Sequence, residues 1–224
     1  MVTTQNITLI TTSLNNPTEL AKTLQSALLQ TKKASRHIVT DSSDPALANQ
    51  MEDLALGFGA EYFWTAPEGV YPAMNAALDE VHADSYVWFI NSSDWLAHPQ
   101  SIATVSKAIE AQFPKTPWLV AELYRAFPRG VYSHHIPSTA GSFKAALIRG
   151  STGFPHPSVV VPHSMMREFG GFNEAFSIAA DYELGLRLWS RFGPPERVNF
   201  PVSIHFPGGL SYKRPFRNYS EKLR

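Results

Sequence analysis

An α/β fold on a mainly parallel, Rossmann-like sheet flanked by helices is what this sequence predicts, and three observations predict it. Short apolar runs alternate with stretches of helical spacing from residue 7 to residue 90, the pattern of successive βαβ units. One run, Tyr86-Val87-Trp88-Phe89-Ile90, is apolar without interruption, as befits an interior strand covered on both faces. The runs also stop abruptly in polar residues, and open α/β sheets bind ligands at the carboxyl ends of their strands.

The first strand is Ile7 to Thr11, leading into Thr12-Ser13. Asn16-Pro17-Thr18-Glu19 then announces a helix, with Asn16 as N-cap, Pro17 at the first helical position and Glu19 at the capping-box position. Leu20, Leu24 and Leu28 recur every four residues and predict its buried stripe. A second strand, Arg36 to Thr40, stops at Asp41-Ser42-Ser43-Asp44. Helical spacing resumes near Ala46, with Met51, Leu54 and Leu56 available for the core. Glu61 to Trp64 makes a third strand, and Gly69 to Val81 a third helix carrying Met74, Ala77, Leu78 and Val81. The Tyr86 to Ile90 strand follows and ends in Asn91-Ser92-Ser93-Asp94.

With 224 residues and 44% hydrophobic content, the chain can bury a full core in a single domain with two lobes. Lys and Arg number 19 against 19 Asp and Glu, so no broad basic field exists to hold nucleic acid. The absence of cysteine excludes disulfides, thiolate metal sites and a catalytic thiol. Met1 to Asn6 lacks a charged n-region, the apolar stretch after it breaks at Thr11, and no run approaches the ~20 residues that span a bilayer. A cytoplasmic protein is expected, touching a membrane, if at all, peripherally at the inner face of the cell membrane.

Three strands end in polar residues that can face one crevice: Thr11-Thr12-Ser13, Asp41, and Asn91 to Asp94. No Gly-x-Gly-x-x-Gly follows the first strand and no Gly-x-x-x-x-Gly-Lys occurs, which removes the main support for dinucleotide-binding and P-loop readings. The hard-oxygen cluster closing on Asp94 suits a divalent cation that holds a diphosphate, because Mg²⁺ is usually bound by one or two carboxylates plus phosphate oxygens. It equally suits a solvated turn with Asp94 capping the next helix. Asp41 can accept hydrogen bonds from a base or ribose edge, and Asp-Ser-Ser-Asp is also ordinary turn chemistry. The eight histidines do not suggest zinc: His134, His135, His156, His163 and His205 are scattered, without His-x-x-x-His spacing on one helix.

In this order, Asp41-Ser42-Ser43-Asp44, Gly69-Val70-Tyr71-Pro72-Ala73-Met74-Asn75 and Phe89-Ile90-Asn91-Ser92-Ser93-Asp94 resemble the nucleotide-sugar-binding half of family 2 glycosyltransferases, whose fold is the GT-A type. The second block is similar to the Gly-Ile-Tyr-Asp-Ala-Met-Asn motif of a bacterial branch. His156-Pro157-Ser158-Val159-Val160-Val161, Phe169-Gly170-Gly171-Phe172-Asn173-Glu174-Ala175-Phe176 and Ile178 to Leu188 resemble the acceptor-side blocks. The likeness runs from about Ile7 to Gly209, with 116–146 poorly matched. It implies transfer of a sugar from a nucleotide diphosphate sugar to a carbohydrate or lipid-linked acceptor, in surface polysaccharide or glycoconjugate synthesis, assisted by Mn²⁺ or Mg²⁺.

The resemblance implies metal on Asp94 and donor nucleotide contacts from Thr11, Ser13, Asp41, Tyr71, Asn75, Asn91 and Ser92. Two departures stand out: Ser93 replaces the penultimate carboxylate of the family's cluster, and Pro72 replaces the Asp of its Gly-x-Tyr motif. One carboxylate still holds a divalent cation with diphosphate oxygens, more weakly than two. For an inverting transfer, the resemblance assigns the general base to Asp181. A plain N-cap at Asp181 stays open beside that assignment. Glu183 is an acceptor-hydroxyl candidate. His156 is a candidate for a donor phosphate or the acceptor sugar, and His205 for the diphosphate or metal shell, or for a structural histidine.

The donor half is expected at residues 1–96, the acceptor half at 97–211 and a tail at 212–224. Trp95, Trp118, Phe127, Tyr132, Phe143 and Phe154 are candidates for covering sugar faces, or for the core. The tail Tyr212-Lys213-Arg214-Pro215-Phe216-Arg217-Asn218-Tyr219 mixes cations with aromatics, as a segment resting on an anionic membrane would; a frayed terminus is the other reading. A nucleotide-sugar-binding protein without turnover, degenerate at Ser93 and Pro72, is the alternative function. A sugar nucleotidyltransferase is disfavoured, because no Gly-rich, Lys- or Arg-bearing loop follows Ile7 to Thr11.

Overall fold

The computed structural model describes residues 6–115, 117–137, 155–206, 209 and 214–223. The first half runs β1 (Asn6–Ser13), α1 (Pro17–Leu28), β2 (Arg36–Asp41), α2 (Pro45–Gly57), β3 (Glu61–Trp64), α3 (Val70–Asp79) and β4 (Ser85–Phe89). Each element lies within two residues of its expected bounds. The second half adds β5 (Trp95–Leu96), α4 (Ser101–Gln112), β6 (Leu119–Phe127), β7 (Val131–His135), β8 (Val159–Pro162), α5 (His163–Glu168), α6 (Ala180–Phe192), β9 (Glu196–His205) and α7 (Pro215–Lys222).

All nine described strands belong to one sheet in the order β3-β2-β1-β4-β8-β6-β9-β5, with β7 on β6. The four strands β3-β2-β1-β4 are parallel, as crossovers through α1, α2 and α3 require. The other strands extend the same sheet in both senses: β8 is antiparallel to β4 and β6, and β9 is parallel to β6 and antiparallel to β5. The β6–β9 register shifts at Glu122, opposite Pro201. Proline has no N–H to give the ladder and is confined to such irregularities. Past that shift Arg125 pairs with His205, and the β5 ladder, Trp95 with Ile204, ends beside Asp94.

Asn16 caps α1, its side-chain oxygen accepting the Glu19 N–H at 3.4 Å. Leu20 and Leu24 are buried with Val39, Met51 and Ala55. Leu28 is not: it is 49% exposed, because it sits in the last turn, where α1 has run past the second helix, and Ala27 makes the inward contact. In α2, Met51 and Ala55 share the inward face, so Leu56, one residue and about 100° further round, points outward. On the opposite face α3 buries Tyr71, Met74, Ala77 and Leu78 against Ile10, Ile38, Phe172 and Leu184. Pro72 lies in the first turn of α3, where the missing N–H would have had no helical partner. Among the described residues, no helix is long and apolar enough to cross a membrane.

Candidate active site

The parallel strands bring their polar ends together as expected, but they use much of that polarity on one another. Thr11 is fully buried; its hydroxyl donates to the Ile90 carbonyl at 2.7 Å. His37 Nε2 lies 2.9 Å from the same oxygen, and since that hydroxyl's proton is already given away, the imidazole N–H is the donor. Thr12 donates to Asn91 Oδ1 at 2.8 Å, and the Ser92 N–H donates to the Thr12 carbonyl at 3.0 Å. Asp41 is fully buried, accepting Ser43 Oγ at 2.6 Å and Tyr62 Oη at 3.1 Å. Asn15 and Asp44 exchange two hydrogen bonds above it.

Burial pushes the His37 pKa from 6.5 down to about 4, so the folded state resists its protonation. The stabilisation is complete above pH 6.5, where the unfolded chain is also neutral, and is lost as pH falls towards the folded value of about 4. Denaturant midpoints of the wild-type chain should therefore drop from pH 7 to pH 5, and His37→Gln should flatten that drop. An unchanged pH dependence in the variant would remove His37 as its source.

Asp94 is buried beneath two histidines. Its Oδ1 accepts His205 Nδ1–H and the Phe206 N–H, both at 3.0 Å. Its Oδ2 has no hydrogen bond among the described residues and lies 3.6 Å from His156 Nε2. Asn91 Nδ2 donates to that same His156 nitrogen at 3.3 Å, which makes the nitrogen a lone-pair acceptor. Burial lowers the His156 pKa against the opposing charges of Asp94 and Asp181, in keeping with a neutral ring. For His205, burial works in the same direction, but its hydrogen bond to Asp94 and the Asp94 charge outweigh it and raise the pKa. Arg125, the register partner of His205, brings a positive charge that opposes this rise. It is exposed and has no carboxylate partner among the described residues.

Asp181 stands in the first turn of α6, near enough for its charge to act on His156 and His205 together with that of Asp94. The N-cap is Ala179, so Asp181 is not the cap that helix propensity alone allowed. Asp181 Oδ1 accepts the Tyr182 N–H at 2.8 Å and the Tyr71 hydroxyl at 3.3 Å. Its Oδ2 has no partner among the described residues. The single Tyr71 proton points mainly to the Ile178 carbonyl at 2.6 Å, with Asp181 Oδ1 on the longer branch of a bifurcated bond. Burial and the neighbouring Asp181 charge raise the Tyr71 pKa well above its ordinary value, so the phenol stays a donor.

The structure therefore gathers Asp94, His156, His205, Asn91 and Ser92 on one side of the crevice. The Tyr71 hydroxyl reaches Asp181. The Asn75 amide brackets the Phe172 peptide, donating to the carbonyl at 2.9 Å and accepting the N–H at 2.8 Å. The Thr11 hydroxyl is engaged by the Ile90 carbonyl and His37, and the Asp41 carboxylate is buried on Ser43 and Tyr62. Ser13 Oγ is buried without a partner, beside Asp41 in the register. Glu183 pairs with Arg187 at 2.8 Å. The two line a hollow with Asn75, Phe169 and Glu174, and Glu183 makes no described contact with Asp181.

The aromatic candidates divide. Trp118 is a core residue, 1% exposed, donating to the Gly193 carbonyl. Trp95 packs on Phe206 with ring centroids 4.4 Å apart, next to Asp94. Phe127 and Tyr132 are exposed on the β6–β7 hairpin, and Phe143 and Phe154 lie outside the described residues, as do Tyr212 and Lys213 of the tail. Sequence reasoning missed His37 and Arg125. His37 gave no signal, being a polar residue beside Arg36 at the start of a strand, and Arg125 falls in the stretch with no motif.

Asn75 also explains the second glycine of Phe169-Gly170-Gly171-Phe172. Gly171 has φ +83°, and a Cβ there would collide with the Asn75 side-chain oxygen. Gly171→Ala should lose more than about 1 kcal/mol of stability. Asn75→Ala should cost about 1–3 kcal/mol for each Phe172 peptide group left unpaired. Urea unfolding of the two variants checks both, and wild-type midpoints would dismiss the clamp.

A family model described as Glycosyl transferase family 2 matches residues 8–144. An uncharacterized glycosyltransferase of Mycobacterium tuberculosis is 28% identical over 191 residues, covering 84% of this chain and 70% of that protein. Among solved structures, the chain resembles Staphylococcus aureus TarS 1–349 in complex with UDP (TM-score 0.71, 12% identity, 98% of this chain and 65% of that one). It also resembles mannosyltransferase PcManGT of Pyrobaculum calidifontis with GDP-Man and Mn²⁺ (TM-score 0.66, 14% identity, 99% and 63%). A third is M. tuberculosis glucosyl-3-phosphoglycerate synthase with Mn²⁺, UDP and glucosyl-3-phosphoglycerate (TM-score 0.64, 16% identity, 98% and 78%). The chain thus spans just under two thirds of the TarS fragment and of the mannosyltransferase.

Proposed function

The chain belongs to glycosyltransferase family 2 and has the GT-A fold, and from that premise we propose that it moves a sugar from a nucleotide diphosphate sugar to a carbohydrate or lipid-linked acceptor. The observation that carries the reading is the pair of carboxylates on one crevice, each with one oxygen fixed and one open. Asp94, among imidazoles, lies on the donor side, and Asp181, held by Tyr71, on the acceptor side. An anchored carboxylate with an open Oδ2 suits a base that takes the acceptor hydroxyl proton. A single base opposite the leaving group supports inversion. Residues 1–96 act as the donor half and 97–211 as the acceptor half, and surface polysaccharide or glycoconjugate synthesis is the proposed setting.

A divalent cation belongs to the proposal. Asp94 Oδ2 and His156 Nε2 lie 3.6 Å apart; a cation between them would take the open carboxylate oxygen and would draw the imidazole lone pair away from Asn91. Carboxylate and imidazole together suit Mn²⁺, and the carboxylate alone suits Mg²⁺. Among the described residues no cluster of three His, Cys, Asp or Glu is arranged to hold a metal, so diphosphate oxygens and water supply the remaining ligands. When bound, the ion neutralises charge on the departing diphosphate. Asp94 and His156 would hold it, His205 orients Asp94, and Arg125 provides a further cation for phosphate oxygens. Ser13, Asn91 and Ser92 line the donor side, where the nucleoside would lie against the ends of β1 and β2.

Peripheral membrane contact is supported by α7, where Phe216, Tyr219 and Leu223 are 91%, 61% and 68% exposed beside Arg214 and Arg217. A nucleotide-sugar-binding protein without turnover is the second reading, favoured by Ser93 in place of a carboxylate. One experiment separates the two: a thermal-shift panel of UDP- and GDP-sugars with and without Mn²⁺, followed by release of the nucleoside diphosphate. A true donor binds the native state selectively and must raise the melting temperature. Metal-dependent release of the diphosphate supports the enzyme, binding without release supports the second reading, and no shift with any donor overturns both.

A further inference from the structure

The last described helix, α7, points one side chain inward, and that side chain reaches the start of the catalytic helix. Glu221 is 4% exposed. Its Oε2 accepts the N–H groups of Ser177, Ile178 and Ala179 at 3.1, 2.8 and 3.1 Å. Its Oε1 accepts the Ser177 hydroxyl at 2.7 Å and Arg217 Nε–H at 3.1 Å. These backbone groups belong to the turn that enters α6, where N–H groups have no helical partner. The N-cap, Ala179, has no side-chain acceptor to offer, so the cap is supplied from 42 residues downstream.

The same turn is held from its other side. Tyr71 shares its hydroxyl proton between the Ile178 carbonyl at 2.6 Å and, on a longer branch, Asp181 Oδ1 at 3.3 Å. Residues 177–181 are therefore clamped between a phenol on α3 and a carboxylate on α7. We propose that Glu221 is a positioning residue for sugar transfer, fixing the 177–179 turn so that Asp181 stays on Tyr71 with Oδ2 turned to the acceptor hydroxyl. The inference rests on Asp181 being the base, and it makes α7 part of the catalytic apparatus rather than a solvated tail. Burial alone would raise the Glu221 pKa, but the Ser177 hydroxyl and the backbone N–H groups bring it to about 2. The clamp is thus charged at any working pH. A carboxylate is also the favoured charge at a helix N-terminus.

Glu221→Gln keeps the size of the side chain but replaces one acceptor oxygen with an amide that faces N–H donors. Ser177→Ala removes only the hydroxyl bond and serves as the milder variant, should Glu221→Gln not fold. In the full chain, amide exchange at Ile178 to Tyr182 should quicken in both variants, with the central strands β1 and β4 still protected. With the donor identified by thermal shift, kcat should fall about 10- to 100-fold in Glu221→Gln, as a misplacement of about 1 Å costs. Donor KM and nucleoside diphosphate affinity should stay within about twofold. Added to Asp181→Asn, Glu221→Gln should lower the rate little further, because residues acting as a unit are not additive. A purely structural anchor would instead lower the rate by the same factor in both backgrounds, and that result overturns the proposal. So does unchanged exchange at 178–182 in folded variants. A fully active Asp181→Asn chain would refute the base assignment itself, a failure read separately from that of the clamp.

Discussion

Asp181→Asn should lower turnover by about 10²–10⁴-fold, the usual contribution of a positioned general base, while donor affinity hardly changes. Asn keeps the shape and one acceptor oxygen, so the bonds from Tyr71 and the Tyr182 N–H to Oδ1 can persist. What is lost is the basic Oδ2, needed only as the acceptor proton departs. The expected signature is a fall in kcat and kcat/KM together, without a rise in donor KM. A capping role would leave the rate intact, because Asn caps about as well as Asp. The N-cap itself is Ala179, whose N–H Glu221 accepts, and Asp181 takes only the Tyr182 N–H, a bond that Asn can keep. Rate, nucleoside diphosphate affinity and melting temperature on this variant decide the matter. A fully active variant would end the assignment of Asp181. Glu183 would not inherit it readily, since its carboxylate is paired with Arg187.

The first half of the chain was legible because its signals are local. Asn16, Pro17 and Glu19 mark a helix start by short-range hydrogen bonding, and that start is where α1 begins. Tyr86 to Ile90 can only be an interior strand, and β4 is one. The parallel pairing of β3, β2, β1 and β4 follows from the helices that separate them in the chain. The second half gave no such purchase. That β8 and β6 run antiparallel, and that β9 returns parallel to β6, depends on pairings between segments far apart in the chain. The bulge at Pro201, which sets His205 beside Asp94, is invisible until the partner strand is known.

The site was legible in its charges and illegible in its partnerships. Asp94 and Asp181 stand out as carboxylates at strand and helix ends, and the structure puts both on the crevice. Tyr71 and Asn75 belong to a motif in the first half of the chain, yet one reaches Asp181 and the other the Phe172 peptide. A motif reports that residues are close in sequence, whereas α3 happens to face the second half of the chain across the core. The tail read as cations and aromatics around one acidic residue. Nothing in that pattern tells a solvated Glu221 from one buried against the entry to α6, because the difference lies in three N–H groups left without partners there.

Asp94→Asn should abolish Mn²⁺-dependent binding of a nucleoside diphosphate, the second large effect expected of a single substitution. Asn can keep accepting His205 Nδ1–H and the Phe206 N–H through one oxygen, so the fold should survive with a melting temperature near wild type. At the other position the substitution turns Oδ2 into an amide, a donor facing His156 Nε2, where a cation would need two lone pairs. The negative charge that balances the metal also disappears, and a hard cation depends on that charge more than on geometry. Isothermal titration with UDP and GDP, each with Mn²⁺ and with chelator, should show the metal-dependent part of the affinity vanish. Ser93→Asp should shift it the other way: Ser93 sits at φ +92°, a conformation in which Asp is better tolerated than most residues, and a second carboxylate next to Asp94 should tighten the cation. If Asp94→Asn leaves the Mn²⁺ dependence untouched, Asp94 does not hold the ion. If only Ser93→Asp is silent, the Ser93 side chain points away from the ion while Asp94 keeps its role.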